Sequence, residues 1–412
     1  MYVRQEKLPG LKEYKYSSVD RSLTSKYILK PFYTNVVINC FPMWMAPNLI
    51  TLTGFMFVVF NFWTLLWFNP TLDQDCPSWV YYSWAIGLFL YQTFDAVDGT
   101  QARRTRQSGP LGELFDHGVD ALNTSLEVLL FAGCNNLGQG WRTVAMLFCS
   151  LLTFYVQTWD EYHTKTLTLG LVNGPVEGVL IICAVYAATG FFGGGHIWSY
   201  SFLETIGVPH LRFIPDIVYN MSFSDWYLVQ GLVVLCLNTS ESCRNVIQAR
   251  RARGDRSRYA LVGLLPFFAT WALIAAYLVL QPNILHNHLV PFALFCGLVN
   301  AYSVGQMITA HLVKLDFPYH NVLVLPLAYG VFDSLGPWLQ YEFGHPWLGW
   351  PSALGDDVYQ VAYMFLMLGM SIGVYGSFVV DVIVTICDYL DIWCLRIKHP
   401  YVEPTANGKK AA

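Results

Sequence analysis

Acidic side chains are concentrated in one short stretch of an otherwise apolar chain. They are Asp95, Asp98, Glu113, Asp116, Asp120 and Glu127. Each lies at or near the end of an apolar segment long enough to form a helix. Ionisable groups are costly at such positions, so they are candidates for function. Carboxylates gathered this closely repel one another, and cations would offset that repulsion.

Helical spacing predicts that these carboxylates converge. Asp95 and Asp98 are three residues apart and share one face at the end of a helix. Asp116 and Asp120 are four residues apart near the start of the next helix, and Glu113 lies one turn earlier on the same face. The connecting loop is short enough to bring the two helices together antiparallel. We therefore expect the acids to meet at one point.

The chemistry that suits this arrangement is metal-assisted phosphate chemistry. Hard carboxylate oxygens are typical ligands of Mg²⁺, and Mn²⁺ accepts the same ligands. The small residues Gly99, Ala102 and Gly112 leave room beside the acids. Arg103 can make bidentate contacts to phosphate. Together these residues predict a pyrophosphate site with a divalent cation.

The composition places this site in a membrane protein. Of the 412 residues 54% are hydrophobic and only 13% are charged, whereas a soluble domain has about 25% charged residues. The mean hydropathy is +0.39. No basic arm with interleaved aromatic residues suggests a nucleic-acid partner. We expect a chain embedded in membrane lipid.

The fold predicted from hydropathy is an all-α polytopic membrane protein with about ten transmembrane helices. A span needs about 20 mainly apolar residues. The segments are about 47–69, 78–96, 112–133, 142–159, 174–193, 226–243, 259–280, 287–312, 318–337 and 357–387. The ninth is short and interrupted by Gly330 and Pro337, so nine spans is the alternative.

The distribution of positive charge predicts the orientation. With the N-terminus in the cytosol, Arg142 and Arg212 are the only two of the 24 Lys and Arg residues on the opposite side. This asymmetry follows the positive-inside rule. It places both termini and the acidic site at the cytosolic face.

Three regions follow from this layout. Residues 1–46 form a cytosolic N-terminal segment, in which an interfacial amphipathic helix is expected over 17–42. Residues 47–387 form the transmembrane domain, with a catalytic core at about 47–193. Residues 388–412 form a cytosolic tail that we expect to be disordered from about 392.

The acidic stretch resembles the signature of the CDP-alcohol phosphotransferase family, which reads D-x2-D-G-x2-A-R-x8-G-x3-D-x3-D. The matching positions are Asp95, Asp98, Gly99, Ala102, Arg103, Gly112, Asp116 and Asp120. All eight specified positions match. The resemblance implies that Asp95, Asp98 and Asp116 bind the metal and that Asp120 is a metal ligand, a base or both. It also implies that CDP and its phosphates are bound by Asn48, Asp95, Gly99, Ala102, Arg103, Gly112 and Glu113.

Further segments are similar to the choline/ethanolamine phosphotransferase branch of that family. They are LKEYKYSSVDRSL, PNLITLTG, PLGELFDHGVDAL, WDEYHTKTLTLGLVNGPVEG and ITAHL. This branch resemblance implies transfer of phosphocholine or phosphoethanolamine from CDP-choline or CDP-ethanolamine to diacylglycerol. It further implies a homodimer in the endoplasmic reticulum or Golgi.

Three other functions compete with this interpretation. A CDP-diacylglycerol-dependent enzyme such as a phosphatidylinositol synthase would carry the same signature. A transporter would be expected to show internal repeats and broken midplane helices, and the sequence shows no repeat. A membrane scaffold would leave the complete set of acids without a purpose.

Two further roles are predicted beside the signature. The proton of the acceptor hydroxyl needs a base, and a carboxylate bound to a metal is a weak one. His117 lies between Asp116 and Asp120, so we expect either His117 or Asp120 to be the catalytic base. Trp159, Glu161 and Glu177 lie at the cytosolic ends of two spans and are candidates for contacting the alkylammonium headgroup.

Overall fold

A computed structural model describes residues 2–3, 5–14, 17–20, 22–169, 174–254, 257–355 and 357–401. Within these residues the fold is helical apart from one small parallel strand pair. Strand β1, Ser18–Asp20, pairs with β2, Leu167–Leu169, with Ser18 opposite Leu167. The all-α prediction is confirmed in this part of the chain.

Ten long helices form the body of the protein in the described ranges. They are α1 (Pro47–Phe68), α2 (Ser78–Thr105), α3 (Pro110–Cys134), α4 (Trp141–Thr164), α5 (Val179–Phe192), α6 (Phe223–Ala252), α7 (Leu265–Leu280), α8 (Leu289–Leu312), α9 (Val324–Phe343) and α10 (Asp357–Leu390). Shorter helical turns span Gln5–Glu13, Ser25–Leu29, Lys30–Asn35, Val37–Cys40, Gly174–Gly178, Gly195–Ser199, Phe202–Thr205, Asp216–Tyr219, Ser257–Leu264, Pro282–Asn287 and Pro346–Leu348. Each apolar segment predicted from the sequence overlaps one of the ten long helices.

In the part of the chain that the structure describes, four helical segments are long and apolar enough to cross a membrane. They are Pro47–Phe68, Tyr259–Leu280, Leu289–Leu312 and Asp357–Leu390, and a shorter apolar helix spans Val176–Phe192. The chain is therefore an integral membrane protein. Spanning by the other helices remains a prediction, because several of them carry ionisable residues that lower their hydropathy.

Residues 17–42 begin with β1 and continue as helix, because the π-helical turn Ser25–Leu29 runs directly into Lys30–Asn35 before the turn Val37–Cys40. Pro31, which has no backbone N–H, lies where the π turn passes into α-helix. An amphipathic helix on the membrane surface remains a prediction for this segment. Leu29 and Tyr33 pack inward with Ile50 and Val97. The apolar residues of the segment thus anchor it to α1 and α2.

The first four helices form the frame of the acidic stretch. Helix α1 packs against α2 and α3, and α3 packs against α4 and α8. Helix α2 ends at Arg106, whose φ of 59° is left-handed, and α3 begins with Pro110 after an extended Gly109. A proline suits the first turn of a helix because the N–H it lacks would be unsatisfied there. The tight connection turns α3 back beside the end of α2.

The tail differs in part from the disorder predicted from about residue 392. Residues 391–401 are described, and they pack along the ends of α1 and α2. Arg396 forms a backbone bridge with Met45, and Gln107 donates a hydrogen bond to the His399 carbonyl at 3.2 Å. These contacts explain why this part of the tail is ordered. Residues 402–412 lie outside the described residues.

Candidate active site

One cavity of about 410 Å³ lies at the ends of α1, α2, α3 and α4 that were predicted to face the cytosol. We call it the acidic cavity. Of the residues predicted for the site, those that line it are Asn48, Asp95, Asp98, Gly99, Ala102, Arg103, Gly112, Glu113, Asp116, His117, Asp120 and Glu161. The structure therefore brings together twelve residues that are spread over more than a hundred positions of sequence.

Three aspartates form the centre of the cavity. Carboxylate oxygens of Asp95, Asp98 and Asp116 all lie within 4.8 Å of one another. One oxygen of Asp95 and one of Asp116 are buried and have no hydrogen-bond partner among the described residues. Buried carboxylate oxygens without partners are costly, and a divalent cation with oxygen ligands would satisfy them. The residues present fit a metal centre.

Two hydroxyl groups hold the neighbouring carboxylates. Thr51 of α1 donates a hydrogen bond to Oδ2 of Asp98, and Tyr91 of α2 donates one to Oδ1 of Asp120. Sequence reasoning missed both donors. Tyr91 is one helical turn before Asp95, and Thr51 is one turn after Asn48, so their spacing to the predicted residues was the available signal.

Asp120 stands slightly apart from the other three aspartates. It lines the cavity, but it does not belong to the group of three acids with mutually close oxygens. Its contact with Tyr91 gives one of its oxygens a protein partner. The four signature aspartates thus divide into a close group of three and a separately supported fourth.

Gly112 leaves open space at the cavity, and the neighbouring arginines Arg103 and Arg104 have different surroundings. A Cβ atom on Gly112 would meet no atom within 4 Å, so this side of α3 is open to the cavity. Arg104 donates hydrogen bonds at 3.1 Å to the carbonyls of Ile38 and Phe41, which ties the N-terminal segment to α2. Arg103 points elsewhere and lines the cavity. Arg103 is thus the arginine of this pair that can reach a ligand.

A second group of ionisable residues lies beside the aspartates. Glu113, His117 and Glu161 have ligand atoms within 4.8 Å of one another. Nδ1 of His117 is 3.8 Å from Oε2 of Glu161. A carboxylate on one imidazole nitrogen favours the proton there and leaves the other nitrogen able to accept a proton. At 3.8 Å the contact is an ion pair and not a hydrogen bond, so the geometry places a carboxylate beside His117 without fixing the ring.

Two residues predicted for the headgroup lie away from the acidic cavity. Trp159 is fully buried and its indole N–H donates to the Ala260 carbonyl at 3.2 Å. The carboxylate of Glu177 accepts a hydrogen bond from Ser22. Neither is among the described residues that line the cavity, whereas Glu161 is. Burial of an aromatic ring against a neighbouring segment is indistinguishable in sequence from a ring that faces a ligand.

Residues from both chain termini also line the cavity, and the sequence analysis missed them. Tyr14 comes from the N-terminal segment, and its buried hydroxyl has no partner among the described residues. Ile392, Trp393 and Arg396 come from the segment after α10. These positions carry no motif, because only the fold brings the chain ends to the helix ends.

Comparisons with known proteins agree with this geometry. The CDP-alcohol phosphatidyltransferase family profile matches residues 44–205. An uncharacterised class-I CDP-alcohol phosphatidyltransferase family protein of Schizosaccharomyces pombe is 41% identical, covering 96% of this chain and 98% of the relative.

Two relatives in Saccharomyces cerevisiae have named activities. Choline/ethanolaminephosphotransferase 1 is 39% identical, covering 97% of this chain and 98% of the relative. Cholinephosphotransferase 1 is 37% identical with the same two coverages. The similarity therefore extends over the whole length of the helical body and includes the acidic cavity.

Proposed function

The chain belongs to the CDP-alcohol phosphatidyltransferase family, and from this premise we propose that it transfers phosphocholine or phosphoethanolamine from a CDP-linked donor to diacylglycerol. The products are phosphatidylcholine or phosphatidylethanolamine, and CMP. The observation that carries the proposal is the group of three close aspartates beside Gly112 and Arg103 in one cavity. Full-length similarity to relatives named for choline and ethanolamine transfer supports the choice of donor.

The three close aspartates are proposed as the metal ligands, with Asp120 beside them. Mg²⁺ is the expected ion, and Mn²⁺ is expected to substitute for it. Such an ion, when bound, offsets negative charge on a pyrophosphate and on the leaving nucleotide. Two buried oxygens, on Asp95 and Asp116, have no partner in the described part of the chain, and they support this assignment.

The donor is proposed to lie along the open side of α2 and α3. Gly99, Ala102 and Gly112 would leave space for the cytidine. Arg103 and Asn48 would contact the phosphates, because an arginine fork matches phosphate oxygens. Glu113 is a further candidate in the same cavity.

His117 is proposed as the base that takes the proton from the diacylglycerol hydroxyl. Its Nδ1 lies 3.8 Å from Oε2 of Glu161, whose charge would favour a proton on that nitrogen. Asp120 already accepts a hydrogen bond from Tyr91, which makes it a less available acceptor. The hydroxyl would attack the phosphorus next to the alcohol in line with the leaving CMP.

The headgroup prediction is kept for Glu161 and not for Trp159 or Glu177. Glu161 lines the same cavity as the signature residues, and a carboxylate suits an alkylammonium group. The division into regions 1–46, 47–387 and 388–412 is kept with one change, since residues 391–401 belong spatially to the site. A cytosolic site, a location in the endoplasmic reticulum or Golgi, and a homodimer remain predictions.

A comparison of three CDP-linked donors, each offered separately, tests the proposed function. Purified protein in lipid would be offered labelled CDP-choline, CDP-ethanolamine or CDP-diacylglycerol, each with diacylglycerol or inositol and with Mg²⁺. We expect labelled phosphatidylcholine or phosphatidylethanolamine from the first two donors when diacylglycerol is present. Product formed only from CDP-diacylglycerol and inositol would overturn the proposal in favour of a phosphatidylinositol synthase.

A further inference from the structure

The segment after α10 forms part of the wall of the acidic cavity. We call residues 391–401 the C-terminal strap. Ile392, Trp393, Cys394, Arg396 and Ile397 line the cavity together with the start of α1. The strap lies outside the signature stretch and more than 250 positions after it. It therefore adds side chains that the signature does not supply.

Contacts at both of its ends hold the strap in place. Met45 and Arg396 form an antiparallel backbone bridge. Asn48 donates to the Cys394 sulfur at 3.7 Å, and Gln107 donates to the His399 carbonyl at 3.2 Å. These contacts join the strap to the loop between α2 and α3 and to the start of α1, where Asn48 is proposed to contact the donor phosphates.

Internal ion pairs shape the strap itself. Lys398 and His399 both contact the Asp391 carboxylate. The Lys398 hydrogen bond is the main reason why the pKa of Asp391 lies below its usual range, and the His399 contact adds to it. The positive charge of Lys398 is thus matched within the strap. Arg396 has no such match.

The cavity wall carries many more carboxylates than guanidinium groups, and Arg396 supplies one of the latter. The described wall carries six carboxylates, on Asp95, Asp98, Glu113, Asp116, Asp120 and Glu161, and two guanidinium groups, on Arg103 and Arg396. Within the described part of the chain, Arg396 has neither a hydrogen-bond nor an ion-pair partner for its side chain. An anionic ligand entering a wall so rich in acids needs every available cation. An unpaired guanidinium beside the acids is suited to that purpose.

We propose that Arg396 binds the pyrophosphate of the donor and acts with Arg103 as a second phosphate contact presented by the C-terminal strap. This inference rests on the proposed function. Guanidinium groups bind phosphate through two parallel charge-assisted hydrogen bonds. The strap would then connect the end of the chain to donor binding.

The phosphate of a membrane phospholipid offers Arg396 the same chemistry. A strap residue near the membrane surface can contact anionic lipid instead of the nucleotide. The donor phosphate and the lipid phosphate can be told apart by whether the contact needs a bilayer. A donor contact depends on the phosphates of the nucleotide and persists in detergent, whereas a lipid contact requires a bilayer.

Binding of CDP and of cytidine by the full chain separates these possibilities. Arg396→Ala and Arg396→Lys would be compared with wild type and with Lys26→Gln, which removes one exposed positive charge from the N-terminal segment. Binding would be measured with MgCl₂ in maltoside detergent and in nanodiscs that contain phosphatidylserine. The Met45–Arg396 bridge involves the backbone, so the side-chain changes leave it in place.

We expect Arg396→Ala to weaken CDP binding by roughly 10- to 100-fold in both settings, as for loss of a charge-assisted contact. Cytidine binding should not change, Arg396→Lys should retain part of the CDP affinity, and Lys26→Gln should match wild type. Equal loss of CDP and cytidine, or a loss confined to anionic nanodiscs, would overturn the inference. If wild type binds CDP and Arg396→Ala binds it equally well, this inference alone fails. If wild type does not bind CDP, the proposed function fails with it.

Discussion

At the scale of single residues, the burial of the carboxylates in the acidic cavity is the main reason to expect a bound cation. Asp98 is 8% exposed and Glu113 is 7% exposed. A carboxylate so far from water needs hydrogen bonds, a cation or a proton. Asp98 has the Thr51 hydroxyl, but one oxygen each of Asp95 and Asp116 has no partner among the described residues. Burying a carboxylate oxygen without a partner costs free energy, and a bound divalent ion would remove that cost.

The first prediction tests the ion directly. Asp116→Asn should lose Mn²⁺ binding, measured by electron paramagnetic resonance, and should lower transfer by about 10²–10³-fold, because a bound cation stabilises transition-state charge by several kcal/mol. A chelator should abolish transfer by the wild type. Asp357→Asn is the matched control, since Asp357 is exposed at the start of α10. Normal Mn²⁺ binding by Asp116→Asn would contradict the assignment.

The second prediction concerns the base. His117→Ala should lower the turnover rate by about 10²–10⁴-fold, the usual contribution of a positioned general base. CDP binding should stay near the wild-type value, because His117 is not assigned to the nucleotide. His196→Ala is the control, since this exposed histidine pairs with Asp75 outside the cavity.

Glu161→Gln should also lower the turnover rate, but less than His117→Ala does. Glu161→Gln keeps the shape of the side chain but removes the charge that faces Nδ1 of His117. Retention of most activity by His117→Ala would instead assign the proton transfer to Asp120 or to water.

At the scale of secondary-structure elements, the sequence predicted the helices better than the segments between them. Apolar runs of about 20 residues have few alternatives to a helix, so all ten predicted segments overlap long helices. The i, i+3 and i, i+4 spacings agree with the structure for Asp95, Asp98, Glu113, Asp116 and Asp120, which line one cavity. Glu127, further along α3, instead accepts a hydrogen bond from Tyr186 and is not among the described residues that line the cavity. The segment 17–42 was harder to predict, because β1 pairs with β2, which lies almost 150 residues later.

The difficulty of predicting long-range contacts also explains why some site residues were not predicted. Tyr14 and Arg396 enter the site through long-range packing that leaves no local periodicity. Trp159 was assigned to the headgroup from its position beside acids, but its indole is buried against Ala260. Local spacing predicts which residues share one helix face, and it does not predict which distant segment covers that face.

The third prediction tests whether the open side of α3 accepts the nucleotide. Gly112→Leu should reduce CDP binding by at least about tenfold, since the new side chain enters space where a Cβ meets no atom within 4 Å. Folding should not suffer, because leucine favours a helix by about 1 kcal/mol over glycine.

Gly118→Leu provides the matched control for this substitution. Gly118 lies on the same helix, its Cβ would also meet no atom within 4 Å, and it is not among the described residues that line the cavity. Equal CDP binding by Gly112→Leu and wild type would show that the nucleotide lies elsewhere.

At the scale of the whole molecule, the proposed reaction needs a cavity that can be reached both from the cytosol and from the membrane. Nucleotide donors are dissolved in water, whereas the diacylglycerol hydroxyl lies at the depth of the lipid headgroups. The cavity is at the ends of helices that were predicted, from the distribution of Lys and Arg, to face the cytosol. Tyr14 of the N-terminal segment and Arg396 of the strap both line it, so both ends of the chain should be on that side.

The fourth prediction tests this orientation. In a background without the native cysteines, Glu6→Cys should react with an impermeant thiol reagent added to sealed, cytosol-side-out vesicles. Phe213→Cys, at an exposed position between α5 and α6, should react only after the vesicles are opened. The opposite pattern would invert the layout and place the cavity away from the cytosolic donor.

The most direct test of the proposed transfer follows the phosphorus next to the alcohol. Purified wild type and Asp116→Asn would be given diacylglycerol, Mg²⁺ and CDP-choline or CDP-ethanolamine labelled with ³²P at that position. We predict that wild type moves the label into phosphatidylcholine or phosphatidylethanolamine and releases unlabelled CMP, and that Asp116→Asn moves almost none. Label that stays with the nucleotide, or that appears only in water-soluble phosphoalcohol, would contradict the account.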